Sequence, residues 1–565
     1  MSPPPREEIV ITDIVERVID GETSPITSHQ HWRIVDYELE DDIGEGRALM
    51  IGPWRPGRLT IRLGVEGHYR INLISRYCNP RLKLSGDRCF KRCPPVLQGN
   101  RRIGFDDVYR EGYFDAEEVF WREADLTGQD LILDDGGGNS TLMAIRLIPI
   151  DPPSPDTRRV LWPMFFTDDG GEMGKHVHET PDDLFEGAER VPQDSCVQLM
   201  LFGGIEGDIC EYHTTVGTEH GALRSTMGAE WDEFNRVTCE NLERWRQWGR
   251  NPADAVVEYA HQRGLEMYFY LRLGGWDSPP PLYGCKTSRF FLDHPEYHIV
   301  GPGGTKVMAP SVAYPQVLDH LAALYSELVS FGADGVSPCF IRGCAMALYE
   351  PIMVEGFAAE HGKDPRELKP SDADWQDYRA KIITNFMRRM KEAVGDRKLS
   401  PIIHGTRALN RRFALDIETW VREGIVDDLF IMGHQYDRHD DHFAGGPEHL
   451  EFDFFQNLAG RENVRLWPMF YPYGTGESYR KMGYNFTWKI YCEALQQYMD
   501  QGADGYGLWD ATGLDRESGD TRTNIFDLGR EPRPYYREQN RLIRKYEMVQ
   551  WAGYLWNRHT PIEGC

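Results

Sequence analysis

Two patterns of hydrophobic and polar positions divide the chain. Over residues 1–150, short runs alternate between apolar and polar positions, turn residues separate them, and no helical period is sustained. Alternation with a period of two is typical of half-buried strands. This part is therefore predicted to form an antiparallel, jelly-roll-like β-sandwich. The predicted strands are 31–39, 57–65, 68–77, 80–86, 129–135 and 140–150, with 105–121 expected to form loops.

The pattern changes after a proline-rich linker at 151–159. From residue 160 onward, near-continuous apolar runs alternate with helical stretches. Eight such units are typical of a closed parallel (β/α)₈ barrel, because its strands are buried on both faces. We therefore predict a TIM barrel over 160–565, in the α/β class. Its strands are predicted at 160–166, 196–204, 265–273, 334–341, 399–405, 428–433, 464–471 and 504–510.

Two of the helical stretches show the period of an amphipathic helix clearly, at 315–331 and 375–394. Ser371 is the predicted N-cap of the second. A last helix is predicted over about 532–552.

Composition and charge exclude several classes of partner. The chain has 565 residues, with 63 Lys and Arg against 89 Asp and Glu, giving a net charge of −26. Such an excess of acid argues against nucleic acid and against an anionic membrane surface. No apolar run is long enough for a transmembrane helix, and no signal peptide is recognisable. The 11 scattered cysteines fit reduced, buried thiols, so we expect a cytoplasmic protein, a trimmed secreted form being the alternative. Homo-oligomerisation stays open.

The active site of such a barrel lies at the carboxyl ends of its strands. Polar and aromatic side chains in those positions are therefore the candidates for chemistry. They are Asp168, Asp169, His176 and His178; Glu206, Asp208, Glu211 and His213; Arg272 and Trp276; Arg342 and Glu350; His404; His434, Gln435, Tyr436 and Asp437; Tyr471, Tyr473 and Glu477; and Trp509 with Asp510.

Several of these aromatic rings offer faces for stacking on sugar rings, with carboxylates and histidines beside them for hydroxyl groups. Hydrolysis of a glycosidic bond needs two carboxyl groups across that bond. Glu350 is predicted as general acid and Asp510 as base or nucleophile, without a metal or cofactor. The predicted substrate-binding residues are Asp168, Asp208, Trp276, Arg342, His404, His434, Tyr436, Asp437, Tyr471 and Trp509.

Three segments resemble a known family of barrels. GADGVSPCFIRG at 332–343, YEPIMVEGFAAEHGKDPRELKP at 349–370 and DADWQDYRAKIITNFMRRM at 372–390 are similar to the glycosyl-hydrolase-like family 10 group, related to the DUF187 proteins. In some bacterial members a β-sandwich precedes the barrel. The resemblance implies a bacterial carbohydrate-active barrel acting on an oligosaccharide, polysaccharide or glycoside. The family's Asp on the fourth strand falls on Cys339 here, so the resemblance leaves the catalytic residues undecided.

Three other functions remain open. A non-catalytic carbohydrate-binding protein would account for the missing Asp. A metal-dependent hydrolase of the amidohydrolase kind would use His176, His178, His404, His434 and Asp510, although the fourth strand lacks a Lys. A lyase would use a Tyr or His as base. The sandwich either binds glycan or braces the barrel.

Overall fold

The computed structural model describes most of the chain. The described residues are 7–25, 31–40, 42–51, 57–75, 81–92, 116–134, 140–152, 154, 157–224, 232–278, 284–341, 346–433, 450–470, 495–509, 526–531, 542–546 and 548–551. Within them, no helix has the length and apolar character needed to cross a membrane. The cysteines described are all free, and all but Cys239 are buried.

The described residues form two compact units. The first contains Met1–Thr157 together with two strands near the C-terminus, and the second begins at Arg158. Strands of the first unit pair almost throughout in antiparallel fashion, in three sheets of five strands. The first sheet has Ile9–Ile11, Ala144–Pro149, His68–Ser75, Ala116–Asp125 and Leu542–Tyr546; the second has Val18–Asp20, Leu59–Arg62, Asp130–Asp134, Arg81–Leu84 and Lys91–Arg92; the third has Ser140–Leu142, Glu45–Ile51, Trp32–Leu39, Thr23–Ser24 and Met548–Trp551.

Apolar side chains between these sheets form the core of the first unit. Trp32, Leu73 and Leu131, each at most 1% exposed, belong to one large cluster that draws on all three sheets. The alternation of the sequence explains this packing, since every second side chain of a strand faces the same way. The predicted antiparallel β domain is confirmed.

Two local predictions for this region were wrong. Ala116–Asp125 is a ten-residue strand that begins inside the range expected to form loops. The described residues within 532–552 are strands rather than a helix, and Leu542–Tyr546 pairs with Ala116–Asp125. Here an open sheet edge offers backbone partners far away in the sequence, and this tertiary pairing outweighs local preference.

The second unit is a closed barrel of eight parallel strands, as predicted. Each strand is bonded to the next along the chain, and the eighth pairs with the first through Met164–Tyr506. The barrel strands are Met164–Asp168, Val197–Phe202, Glu266–Arg272, Gly335–Cys339, Ile402–His404, Asp428–Met432, Arg465–Phe470 and Tyr506–Leu508. Each lies within or beside the run predicted for it.

Helices follow the first seven barrel strands, with residues 495–500 helical after the seventh, and further short strands lie in the loops. Ala373–Val394 starts at Asp372, whose carboxylate accepts a hydrogen bond from the Trp375 N–H, so the predicted cap Ser371 is wrong by one residue. The helices are Glu172–Lys175, Glu233–Gln247, Pro252–Gln262, Arg289–Asp293, Pro315–Ser330, Pro351–His361, Ala373–Val394, Arg407–Arg412, Ile417–Arg422 and Phe452–Gln456, with 3₁₀ turns at Pro181–Phe185, Ala188–Arg190, Pro295–Tyr297, Pro365–Glu367 and Arg461–Asn463. The further strands are Arg159–Val160, Ile205–Glu206, Ile209–Cys210, Thr218–Glu219, His298–Val300, Lys306–Pro310, Lys398–Leu399 and Arg530–Glu531.

Large side chains fill the barrel interior. Phe165, Tyr270 and Trp509 are buried in one cluster with residues from the other strands. Near the amino ends of the strands, the buried Asp428 accepts hydrogen bonds from Tyr268, Ser400, Arg465 and Trp467. The interior is therefore a packed core, and any substrate must bind above it, at the carboxyl ends of the strands.

Candidate active site

A cavity of about 210 Å³ lies above the carboxyl ends of the first three barrel strands. Each of these strands supplies it with charged side chains. Asp169 follows the first strand, Arg272 ends the third, and the segment after the second strand supplies two glutamates. The lining residues are Asp169, Gly171, Gly204, Glu206, Ile209, Glu211, His220, Phe234, Arg272 and Lys286.

A short hairpin explains why Glu206 and Glu211 share this cavity. Ile205–Glu206 pairs with Ile209–Cys210 in antiparallel register, with Glu206 opposite Ile209. The Glu211 N–H donates to the Gly204 carbonyl at 2.9 Å, which extends the register by one pair. Directly opposite residues point to the same face of a hairpin, and so do residues two apart. Gly204, Glu206, Ile209 and Glu211 therefore form one face, and all four line the cavity.

Glu206 is held in its ionised form. Its Oε1 accepts from Arg272 at 3.0 Å, and its Oε2 lies 3.5 Å from the Lys286 ammonium group. Burial alone would raise the pKa of Glu206, but the charges of Lys286 and Arg272 outweigh it and hold that pKa below its ordinary value. Arg272 also binds Asp169, which Tyr270 contacts through its hydroxyl group.

Glu211 has the opposite environment. Its side chain is 12% exposed, and its Oε2 is buried without a hydrogen-bond partner among the described residues. Burial raises the pKa of Glu211 to about 7. The pKa of Glu206 is therefore lowered and that of Glu211 is raised, although both lie on one hairpin face. Such a difference suits one carboxyl group to act as an acid and the other as a base.

His220 adds no positive charge that would ionise Glu211. Its Nε2 donates to the Asn235 Oδ1 atom at 2.9 Å, because that oxygen can only accept. Burial lowers the pKa of His220 to about 4, so the ring is neutral near pH 7. The lone pair of Nδ1 then faces the Glu211 carboxyl group at 3.7 Å. A neutral imidazole gives a carboxylate no stabilising charge, and the carboxylic acid is favoured.

Glu350, the predicted general acid, lies elsewhere. It immediately precedes the helix Pro351–His361 and is fully buried. Its carboxylate accepts from the Leu348 N–H at 2.9 Å and from the Val300 N–H at 3.4 Å. Burial raises the pKa of Glu350 above its ordinary value. These bonds order the loop before the helix, and a catalytic role for Glu350 stays a prediction.

The other predicted site residues are only partly brought together. Asp168 is buried at the end of the first strand, where burial raises its pKa to about 7. Asp208 binds His320 at 2.8 Å, and Trp276 is buried with its N–H donating to the Leu273 carbonyl. His404 and Trp509 are fully buried. Asp510, Arg342, His434, Tyr436, Asp437 and Tyr471 lie outside the described residues.

Comparisons with known proteins add little beyond the fold. No protein-family model and no curated protein matches the chain, so the resemblance to the glycosyl-hydrolase-like family 10 group stays a prediction. Among solved structures, the chain is similar to the β-galactosidase of Marinomonas ef1 (11% identity, 61% of this chain and 53% of that one, TM-score 0.36). It is also similar to the β-galactosidase of Halorubrum lacusprofundi (10%, 62% and 52%, TM-score 0.38). An α-galactosidase of Thermus thermophilus is a further example (13%, 84% and 90%, TM-score 0.33).

This chain thus spans about half the length of the two β-galactosidases. The identities and TM-scores are low, and the likeness carries no argument about activity.

Proposed function

We propose that the protein hydrolyses glycosidic bonds, with the carboxyl pair Glu206 and Glu211 in the cavity above the first three strands. The observation that carries this proposal is that the pKa values of two glutamates on one hairpin face are shifted in opposite directions. A glycosidase needs one carboxyl group that is protonated and one that is ionised near its working pH. Glu211 and Glu206 meet these two conditions.

Glu211 is the proposed general acid. Its carboxylic acid protonates the oxygen of the leaving group while the bond to the sugar breaks. The Glu206 carboxylate then acts on the anomeric carbon, either directly or through a water molecule, and one water is added across the bond. Arg272 and Lys286 position Glu206 and keep it ionised, and Asp169 fixes Arg272 in turn.

The charges of the cavity favour a neutral sugar as substrate. Arg272 and Lys286 are balanced by Asp169 and Glu206, and Glu211 is uncharged below pH 7. Among the described residues that line the cavity, no positive charge is therefore left over for a uronic acid. Phe234, which lines the cavity, supplies an apolar wall for a sugar ring. Neutral glycosides are therefore the first substrates to test.

The test is a digest of a panel of neutral glycans and uronides in isotopically labelled water, with products detected by mass. Wild type is expected to cleave at least one neutral glycan and to incorporate one labelled oxygen. Glu211→Gln and Glu206→Gln are each expected to lose about 10²-fold or more in kcat/KM, the usual range for a missing acid or base. Glu462→Gln, at an exposed position, is the matched control and keeps full activity.

Three results would contradict the proposal. The first is full activity in both cavity variants, which would assign the reaction to other residues; Glu350→Gln and Asp510→Asn, tested in the same digest, then show whether the original pair performs it. The second is binding of glycans without turnover, which would support a carbohydrate-binding protein. A product lacking the added water and carrying a new double bond would indicate a lyase.

A further inference from the structure

The loop after the first barrel strand carries a cluster of polar side chains that the proposed reaction does not use. It consists of Glu172 and His176, four residues apart around the one-turn helix Glu172–Lys175, and of Glu186 just after the 3₁₀ turn Pro181–Phe185. The three residues are 2%, 6% and 1% exposed. None of them lines the cavity, although Gly171, immediately before Glu172, does.

The geometry of this cluster is suited to a metal ion. Each residue offers one ligand atom, and the three ligand atoms lie within 4.8 Å of one another. The His176 Nε2 atom is 3.5 Å from a Glu186 carboxylate oxygen. Four ligands at about 2.0–2.2 Å around a tetrahedral cation lie about 3.5 Å from each other. That pair is already at ligand spacing, whereas the nearer Glu172 oxygen lies 3.9 Å from the other ring nitrogen, Nδ1, so the Glu172 side chain must turn toward Nε2 to complete the set.

Neighbouring side chains hold the loop that carries two of the ligands. Asn241, on the helix Glu233–Gln247, donates to the carbonyl groups of Met173 and His176, both at 2.8 Å. Its Oδ1 atom accepts from the His178 N–H at 2.7 Å. These bonds fix the backbone between Glu172 and His176 and just after His176, which is the support that a metal site needs around its ligands.

His178 is not available as a ligand. Its Nδ1 accepts a hydrogen bond from the Trp245 indole at 3.1 Å, so its Nε2 carries the proton and donates to the Glu172 carbonyl at 3.1 Å. Both ring nitrogens are used inside the protein. The paired histidines of an amidohydrolase centre are therefore not formed by His176 and His178, and the cluster differs from the metal site considered from the sequence.

We propose that Glu172, His176 and Glu186 bind one divalent first-row transition-metal ion, with Zn²⁺ preferred over Mg²⁺ and Ca²⁺. Imidazole is a good ligand for zinc, whereas magnesium and calcium prefer sites made of oxygen alone. Lys175 pairs with one oxygen of Glu172 and leaves the other, 3.9 Å from the His176 Nδ1 atom, to turn toward the metal. The ion would join the short helix to the segment after the 3₁₀ turn and so fix the loop beside the cavity.

The test uses the full chain. The purified protein is stripped with a chelator, loaded with Zn²⁺, freed of excess by gel filtration and analysed for metal by mass spectrometry. One Zn²⁺ per chain is expected, with a higher Tm in the loaded protein, because an ion that binds only the folded state stabilises it. Mg²⁺ at the same concentration is expected to give neither result. Slow loading is expected from the burial of the ligands, so loading during refolding is compared.

Variants locate the ion. His176→Asn and Glu186→Gln are each expected to weaken Zn²⁺ binding more than about 100-fold, since even residues that only support ligands cost up to that much. Glu179→Gln, exposed in the same loop, and His294→Asn, on the exposed part of another loop, are the controls and keep full binding. Wild type without stoichiometric Zn²⁺, or variants that bind as tightly as wild type, would overturn the proposal.

A spectrum of wild type keeps the proposal testable if the variants fail to fold. Co²⁺ loaded into the stripped protein is expected to show the visible absorption of a four-coordinate nitrogen and oxygen site. A strong ultraviolet band from thiolate ligands would place the ion at cysteines and overturn the assignment. Metal content and spectra do not depend on turnover, so this result is separate from that of the glycan digest.

Discussion

Replacing Glu211 by Gln should remove activity and at the same time stabilise the protein above pH 7. The Glu211 carboxyl group is almost fully buried, and burial raises its pKa from 4.5 to about 7. A group whose folded-state pKa is raised stabilises the fold below its unfolded value and loses that contribution as the pH rises through the folded value. Stability from Glu211 is therefore lost between pH 4.5 and about 7. At about 1.4 kcal/mol for each tenfold change in the ionisation constant, the loss is about 3 kcal/mol.

Gln cannot ionise, so Glu211→Gln avoids this loss. Urea unfolding followed by tryptophan fluorescence, at pH 5 and at pH 8.5, gives the free energy of unfolding of both proteins. The variant is expected to gain about 2.5 kcal/mol on wild type between the two pH values, because about 0.8 kcal/mol of the loss already occurs below pH 5; most of the gain falls below pH 7. Glu462→Gln, exposed to solvent, is expected to show no such gain. A difference between Glu211→Gln and wild type that is the same at both pH values would refute the reasoning.

Three further predictions test the surroundings of the site and the barrel core. Lys286→Met is expected to raise the pKa of Glu206, because the Lys286 charge is the strongest effect that lowers it. The acidic limb of the pH–rate profile should then move to higher pH. An unchanged acidic limb would contradict this prediction. Asp428→Ala is expected to cost about 3 kcal/mol in urea unfolding, because four side-chain donors lose their acceptor inside the barrel; a cost near zero would contradict it. Gly204→Ala is expected to cost about 1–2 kcal/mol in urea unfolding, because the backbone at φ +85° is left-handed, although its new Cβ would make only an ordinary 3.6 Å contact with Glu211; a cost near zero would contradict this.

The barrel could be predicted from the sequence because its strands are buried on both faces. Runs such as 265–273 are apolar almost without interruption, and the structure buries the middle of the corresponding strand, Glu266–Arg272, completely. The C-terminal strands could not be predicted in the same way. Leu542–Tyr546 pairs with a strand more than 400 residues away, and such a partner leaves no local pattern.

The proposed site lies at the carboxyl ends of the strands, where the sequence predicts it, but the carboxyl pair proposed from the structure differs from Glu350 and Asp510, whose role stays a prediction. The sequence places both Glu206 and Glu211 among the polar residues after the second strand, yet it predicts Asp208, between them, as a substrate-binding residue. The turn places Asp208 where it forms a hydrogen bond with His320. The alternation of side chains along the hairpin places the two glutamates on the face that lines the cavity. Counting positions from the turn in GGIEGDICE would have found that face. The opposite acidity of the pair depends on Lys286, from a distant loop, and could not be found locally.

Aromatic residues at strand ends are the least reliable indicator of a substrate-binding surface in this sequence. Trp276 and Trp509 were expected to stack on sugar, but their rings are 2% and 0% exposed. Trp509 packs on Tyr270 inside the barrel, with ring centroids 5.5 Å apart. A large ring at the end of a barrel strand fills the top of the core as readily as it lines a cleft, and sequence position does not distinguish the two. Phe234, which does line the cavity, comes from a helix.

The most direct test of the account is the effect of the leaving group on Glu211→Gln. If Glu211 protonates the leaving group, the variant should lose about 10²-fold or more in kcat/KM on a glycoside with a poor leaving group, such as an alcohol. On the dinitrophenyl glycoside of the same sugar, whose leaving group departs without a proton, it should keep most of the wild-type rate. An equal loss on both substrates would contradict the assignment of Glu211 as the general acid.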